Sequence, residues 1–423
     1  MSDFKEYFLQ QIWRYQLFDK QYLKTTQGLS VSILKTGISN SNAGPDFLKA
    51  ELVLDQLKWF GSVEIHIKSS DWKRHGHEGD KNYDNVILHV VWVDDAPNSE
   101  IPTIALKDRI PQKYIDNFDL LVKSEYTIPC QNLFTKVNSI FKTEMLEKVF
   151  FQRISRKTLL IMKLLLDYNS DWEQVTYHLI LKNFGFKVNE ESFECIARNL
   201  PFKILLKHRD KLLQLEALLF GVAGLLEEAH EDAYFVALRK EYEFLKVKYN
   251  LVEVAIPVKF LRLRPANFPT IRLAQLADLV FKQPHLFSLF NDTVSYQRLA
   301  HQLRCRQSDY WTQHYTFGTE ADSEIPYMGK NSIDLVIINT LVPLLIAYGK
   351  YQKDQSEKID LAIQILHQIK PEVNHKTKVW AELDFMPLNS YDSQALIEWL
   401  DAFCLQKKCL DCSVGIQILK TGS

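Results

Sequence analysis

The sequence predicts an α+β protein: a β-rich domain over residues 1–135, then a larger helical domain over residues 136–423 that ends in a cysteine-containing segment. Three observations predict it. Short apolar runs with β-type alternation, separated by turn residues, fill the first part. Long segments with apolar residues at helical spacing fill the second. No repeat of fixed period and no low-complexity tract interrupts either.

The first part reads in order. Residues 3–18 have Phe4, Tyr7, Phe8, Gln11, Ile12 and Tyr15 near one face of a helix. "LSVSILKTG" (29–37) reads as a strand. "FLKAELVLD" and "KWFGSVEIHIK" read as two strands joined by a tight connection around Gln56, most simply a hairpin. "SSDWKRHG" reads as a helix start with Ser70 or Asp71 as its cap. "NVILHVVWV" (85–93) is apolar on both faces and reads as a central strand, and "IPTIALKDRI" as one more. Helices are then predicted at 141–167, 171–184, 190–199, 201–207, 209–230, 232–248, 271–281, 332–349, 358–369 and 393–404. Two segments, 258–270 and 307–329, break that rhythm.

Composition narrows the function classes. The chain is 46% hydrophobic and 24% charged, as ordinary globular proteins are, and its net charge of −1 excludes whole-molecule attraction to nucleic acid. The N-terminus lacks the basic start and apolar core of a signal peptide. The most apolar stretch, 333–349, contains Asp334, Asn339 and Pro343 and reads as a buried helix, so no membrane partner is expected. Six cysteines without an export signal fit a reducing, cytoplasmic setting.

The chemistry concentrates on the second hairpin strand. Val63, Ile65 and Ile67 take one side of it, and Glu64, His66 and Lys68 the other. If the hairpin closes near Gln56, residues 46–50 run back beside 62–66, which brings Asp46 to Glu64. Two neighbouring carboxylates are costly unless a cation lies between them, and Mg²⁺ or Mn²⁺ is the usual answer. A nearby Lys or His then orients or deprotonates the attacking water. "DWKRHGHEGDKNYDNVILH" adds His75, His77, Asp80, Tyr83 and His89, a mixed donor set that also suits Zn²⁺ or Fe²⁺. His75 or His77 can serve as general acid, and Lys73 and Arg74 can meet a phosphate. The bland alternatives are a solvated hairpin face, a turn residue at Asp46, a polar histidine loop and a core histidine at 89.

This layout resembles the PD-(D/E)XK nuclease superfamily, where Pro-Asp opens one strand and Asp/Glu-x-Lys lies on the next. Pro45–Asp46 and Glu64 match; His66 stands where the pattern has Lys, Lys68 is on the same face, and Glu6 can supply an extra acid. The resemblance implies a restriction-endonuclease-like topology, metal-dependent phosphodiester hydrolysis, and DNA or RNA as partner. Over the whole chain, "NSNAGPDF", "GSVEIHIKSSDWKRHGHEGDKNYDNVILHVVW", "NFGFKVNEESFE", "EALLFGVAGLL", "RLRPANFPTIRLAQLA" and "CLDCSVGIQILK" resemble the landmarks of the domain-of-unknown-function 2851 family, which implies no activity.

Two further features carry expectations. "RLRPANFPTIR" sets Arg262, Arg264 and Arg272 around Asn267 and Phe268, either a phosphate-binding segment or an extended connector. Lys203, Lys207, Arg209 and Lys211 read as a basic or merely solvated helix face. Cys404, Cys409 and Cys412 can hold zinc or an iron–sulfur cluster if Cys130, Cys195 or Cys305 supplies a fourth thiolate, or else are free thiols. The leading expectation is a metal-dependent nuclease-like hydrolase with Asp46 and Glu64 on the metal, His66, Lys68, His75 and His77 in catalysis, and Arg74, Arg262 and Arg264 on nucleic acid. The alternatives are a His/carboxylate metal hydrolase of a small substrate and an inactive interaction scaffold.

Overall fold

The computed structural model of the chain describes residues 2–40, 42–97, 100–291, 295–353 and 355–421. Helix α1 (Ser2–Arg14) is followed by strands β1 (Val31–Lys35), β2 (Ile38–Ser39), β3 (Phe47–Leu54) and β4 (Leu57–Lys68). A short helix α2 (Asp71–Arg74) and a 3-10 turn (Lys81–Tyr83) lead to β5 (Val86–Val93) and β6 (Thr103–Ala105). The sheet order is β1-β3-β4-β5-β6, with β2 also on β3. Pairings are antiparallel through β4 and parallel from β4 to β5 and β6. Of the α1 face read from the sequence, Phe8, Gln11 and Ile12 are buried and Tyr7 and Tyr15 half-buried, while the Phe4 side chain lies outside the described residues.

The hairpin closes as expected. Leu54 pairs with Leu57, and Asp55 and Gln56 between them take φ of 47° and 74°. Two consecutive left-handed residues match the right-handed twist of the strands they join. Gly61 marks the point where β4 meets its second partner. A Cβ there would lie 2.5 Å from the Asn85 carbonyl oxygen, and the next amide, on Ser62, donates to that oxygen at 2.8 Å.

The helix-start expectation needs correcting in detail. Ser70 occupies the N-cap position of α2 but does not cap it; its hydroxyl bonds Asp95 at 2.9 Å. Asp71 instead accepts the backward-lying Lys68 amide at 3.1 Å. The strand expected at "IPTIALKDRI" shortens to β6, because Lys107–Arg109 coil into a 3-10 turn. Helices α3 (Gln112–Lys123) and α4 (Gln131–Phe134), not foreseen, close the β-rich part.

The chain divides into two compact units. The first comprises Met1–Lys148, Lys378–Phe385 and Ile397–Ser423; the second comprises Val149–Thr377 and Met386–Leu396. Where the sequence suggested a single change at 135/136, the first unit thus also takes in the chain's last stretch. Its core joins Phe8, Ile12 and Trp13 of α1 to Val63, Ile65, Leu88 and Val90 of the sheet, and to Leu410, Ile416 and Leu419. The last two belong to the helix Ser413–Thr421.

The second unit is mainly helical. The helix predicted at 209–230 ends at Val222, because Gly224 turns the backbone to φ +75°. The aromatic, acidic segment after 307 holds a short helix, Asp309–Gln313, and a small hairpin of His314–Thr316 with Thr319–Glu320. Among the described residues, only Lys330–Gln352 is long and apolar enough to cross a membrane; 78% of its most apolar window is buried within the protein. That burial agrees with the buried helix predicted at 333–349.

Candidate metal and catalytic centre

The tight hairpin carries Asp46, just ahead of β3, back to Glu64 on β4. The Asp46 amide donates to Glu64 Oε2 at 3.0 Å, and the Ile65 amide donates to Asp46 Oδ2 at 3.0 Å. Each acid thus accepts the other segment's backbone, a reciprocal latch that holds the carboxylates side by side. Gln10 of α1 donates to the remaining Asp46 oxygen at 2.9 Å.

Their surroundings are dry. Glu64 is 6% exposed and His66 1%, so this face of β4 is not a solvated hairpin face. Burial, and then the Asp46 charge, push the Glu64 carboxyl well above the usual carboxylate range. Glu6 of α1 adds a smaller push in the same direction. Burial also raises Asp46, against the lowering effect of the Ile65 and Gln10 hydrogen bonds. Without a cation, the pair holds on to a proton.

The imidazoles gather around these acids. His66 Nε2 and His77 Nε2 each lie 3.4 Å from Glu64 Oε1. His75 Nδ1 lies 3.1 Å from His66 Nε2, and His66 Nδ1 lies 2.9 Å from His89 Nε2. Burial keeps His66 neutral, its pKa down to about 2, and His89 neutral at about 4. A neutral imidazole has one ring proton. Placed on His66 Nδ1, facing His89, it leaves the Nε2 lone pair aimed at Glu64, His75 and His77. His89, read from the sequence as a core histidine, shares with His66 a hydrogen bond in which either ring can be the donor.

Aromatic walls complete the cluster. Trp72 packs 5.3 Å from the rings of both His77 and His89, and Tyr83 stacks on His77 at 3.8 Å. The α2 turn and the 3-10 turn after it supply these rings, which is why His75 and His77 fold back over the strand rather than splay into solvent. His75 is exposed at the rim. Arg74 beside it pairs with Asp71 at 2.9 Å and keeps its guanidinium largely in solvent.

The donor set fits a divalent cation. The ligand atoms of His66, His75 and His77 all lie within 4.8 Å of one another. The buried His77 Nε2 has no hydrogen-bond partner although a carboxylate oxygen is near. Lone pairs facing one another across so short a gap need a proton or a metal ion between them.

Other expected residues lie elsewhere. Lys68 shares the face of Glu64, but its ammonium is exposed and turns to Asp95 at 3.7 Å. Arg262 and Arg264 are exposed in the second unit, on a connector whose Phe268 packs 5.2 Å from Phe260. Arg272 is buried, bonded to Gln275 at 2.8 Å and Ser332 at 3.0 Å, and its further bond to Asn267 Oδ1 ties that connector to its helix. Lys203, Lys207, Arg209 and Lys211 are exposed. Gln10 and Asp94 were not anticipated: Gln10 reaches its acid from another element, and Asp94 affects His89 through its charge while both its oxygens are buried and unbonded. No spacing rule links either to the cluster.

The chain is thus an α+β protein whose mixed sheet presents two latched carboxylates to a cluster of imidazoles. The family model for a protein of unknown function, DUF2851, matches residues 6–375, and the chain belongs to that family. No curated protein and no solved structure matches it.

Proposed function

We propose that the chain is a divalent-metal-dependent hydrolase of phosphodiester bonds, with a DNA or RNA strand as substrate. The observation that carries this reading is the reciprocal latch between Asp46 and Glu64. It holds two buried acids at a strand junction, where their mutual repulsion is offset by a proton or by a bound cation. The order of elements supports it too: a helix, an antiparallel hairpin bearing the acids, and a parallel partner strand, as the resemblance to PD-(D/E)XK nucleases implies. The crossover between β4 and β5 is shorter than that resemblance would suggest, holding only α2 and one 3-10 turn.

Asp46, Glu64, His66 and His77 would hold the ion. Once bound, such an ion lowers the pKa of an associated water and offsets charge developing on the phosphate. His66, fixed by His89, orients the donor set. His75, at the exposed rim, would give a proton to the departing oxygen. Arg74 offers a fork of N–H donors to a phosphate oxygen. Trp72 and Tyr83 keep water from the inner side. Lys68 has no role in this scheme.

A second reading is favoured by the three imidazoles. So nitrogen-rich a set suits Zn²⁺ better than Mg²⁺ and supports hydrolysis of a small substrate without nucleic acid. Cleavage of DNA and RNA in Mg²⁺, Mn²⁺ or Zn²⁺, for wild type and Glu64→Ala, tests both. Nuclease activity lost in the variant supports the first; activity on phosphoesters of small alcohols alone, with Zn²⁺, supports the second. Cleavage unchanged in Glu64→Ala would rule out this centre.

A further inference from the structure

We propose that the second unit binds an organic phosphate, a phosphate monoester on an apolar or aromatic body, in an open cavity of about 760 Å³. The site is separate from the carboxylate–imidazole centre, and every residue that lines it belongs to the second unit. Its walls are helical: α5 (Ser139–Asp167) from Arg153 onward, the successive helices Trp172–Phe184 and Phe186–Asn199, and part of Lys330–Gln352. A volume of this size suits a small organic molecule rather than a bare ion.

Charge selects an anion. Helical spacing brings Arg153, Arg156, Lys157 and Lys163 to one face of α5, with Leu160 and Leu164 among them, and all six line the cavity. Among the described residues on its walls, seven are Lys or Arg and four are Asp or Glu. Much of the acidity is spent on one side. Glu194 meets Lys182 at 2.7 Å and Arg198 at 2.8 Å, and lies 3.6 Å from His178 Nε2. By contrast, the Lys157 ammonium donates to a neutral partner, the Asn339 side-chain oxygen, at 2.8 Å. That leaves two of its three N–H donors for a ligand.

Two backbone irregularities shape this pocket. The helix Lys330–Gln352 widens to a π turn over Ile337–Leu341, a departure that recurs at functional sites. Asn339 lies in that turn, and its side-chain amide donates back to the Leu335 carbonyl at 3.1 Å, which fixes the oxygen that holds Lys157. Phe186 takes φ of 47°, a costly conformation for so large a side chain. Its ring, 4.7 Å from the Arg272 guanidinium, gives the cavity an aromatic wall, and Leu335 and Pro343 extend the apolar lining.

Lys157 is the group that most needs the anion. Burial, then the Arg153 and Arg156 charges, lowers its ammonium to about 7, against the opposing effect of Glu372 and Glu190. A phosphate beside it would restore the proton.

The test is calorimetric titration of the full-length protein in EDTA, which keeps divalent cations off the first unit. Adenosine monophosphate should bind, and adenosine and inorganic phosphate at least about tenfold more weakly, because each lacks one half of the match. A second arm uses 1-naphthyl phosphate: equal binding assigns apolar phosphates in general, and a preference for adenosine monophosphate assigns a nucleotide. Lys157→Met should weaken binding at least about tenfold, and Lys203→Ala, exposed on another helix, should not. A measurement on wild type needs no variant to fold: adenosine monophosphate should slow acetylation of Lys157, read by mass spectrometry, and leave Lys203 unchanged. Absence of binding by both organic phosphates, inorganic phosphate bound as tightly as they are, or Lys157 acetylated equally fast with and without them would overturn the proposal.

Discussion

The Asp46 amide donates to the Glu64 carboxylate at 3.0 Å while Asp46 itself accepts the Ile65 amide at 3.0 Å. The exchange ties the start of one strand to the middle of the next. It also places two acids where each makes the other harder to ionise, a cost that a binding site keeps and a purely structural contact would shed.

That cost is measurable. In metal-free protein at pH 8, Glu64→Gln removes the need for a buried carboxyl to take up a proton on folding while keeping an amide oxygen for the Asp46 N–H. It should raise stability by roughly 1–3 kcal/mol, read as a higher chemical-denaturation midpoint, and abolish hydrolysis. A destabilised Gln variant would mean that Glu64 is held by contacts that need its charge.

The hairpin turn carries local strain. Asp55 and Gln56 are both left-handed, at φ 47° and 74°, a conformation that costs a side chain of this type about 1 kcal/mol. Gln56→Gly should therefore stabilise the first unit by roughly 0.5–1 kcal/mol in thermal melts. Gln56→Val should lower it.

Glu216 sets a pH dependence in the second unit. It is fully buried, and burial raises its carboxyl from 4.5 to about 7, against the lowering effect of the Tyr234 hydroxyl hydrogen bond. A raised acid binds its proton more tightly in the folded state. Its contribution is therefore complete below about pH 4.5 and lost as pH rises to about 7. Glu216→Gln should flatten that fall, with a gain of about 2–3 kcal/mol at pH 8, measured by denaturation from pH 5 to 8. A variant as pH-dependent as wild type would assign the effect elsewhere.

The hairpin and the pairing of Asp46 with Glu64 were legible because alternation and a tight turn fix register within a few residues. The depth of the site was not. A polar face on one strand looks solvated until Trp72 and Tyr83 close over it, and they do so from a loop with no periodic signal. Lys68 shows the converse: alternation places it on the right face, but the strand's end leaves its long side chain free to turn to Asp95.

The most direct test is Mn²⁺ titration of the full-length protein, followed by electron paramagnetic resonance, since Mn²⁺ prefers oxygen and nitrogen donors to thiolates. The centre built on Asp46 and Glu64 should take up a single ion per chain, at least about tenfold more weakly in Asp46→Asn, Glu64→Gln and His77→Ala, roughly 1.4 kcal/mol. Equal affinity in wild type and all three folded variants, or no uptake at all, would contradict it.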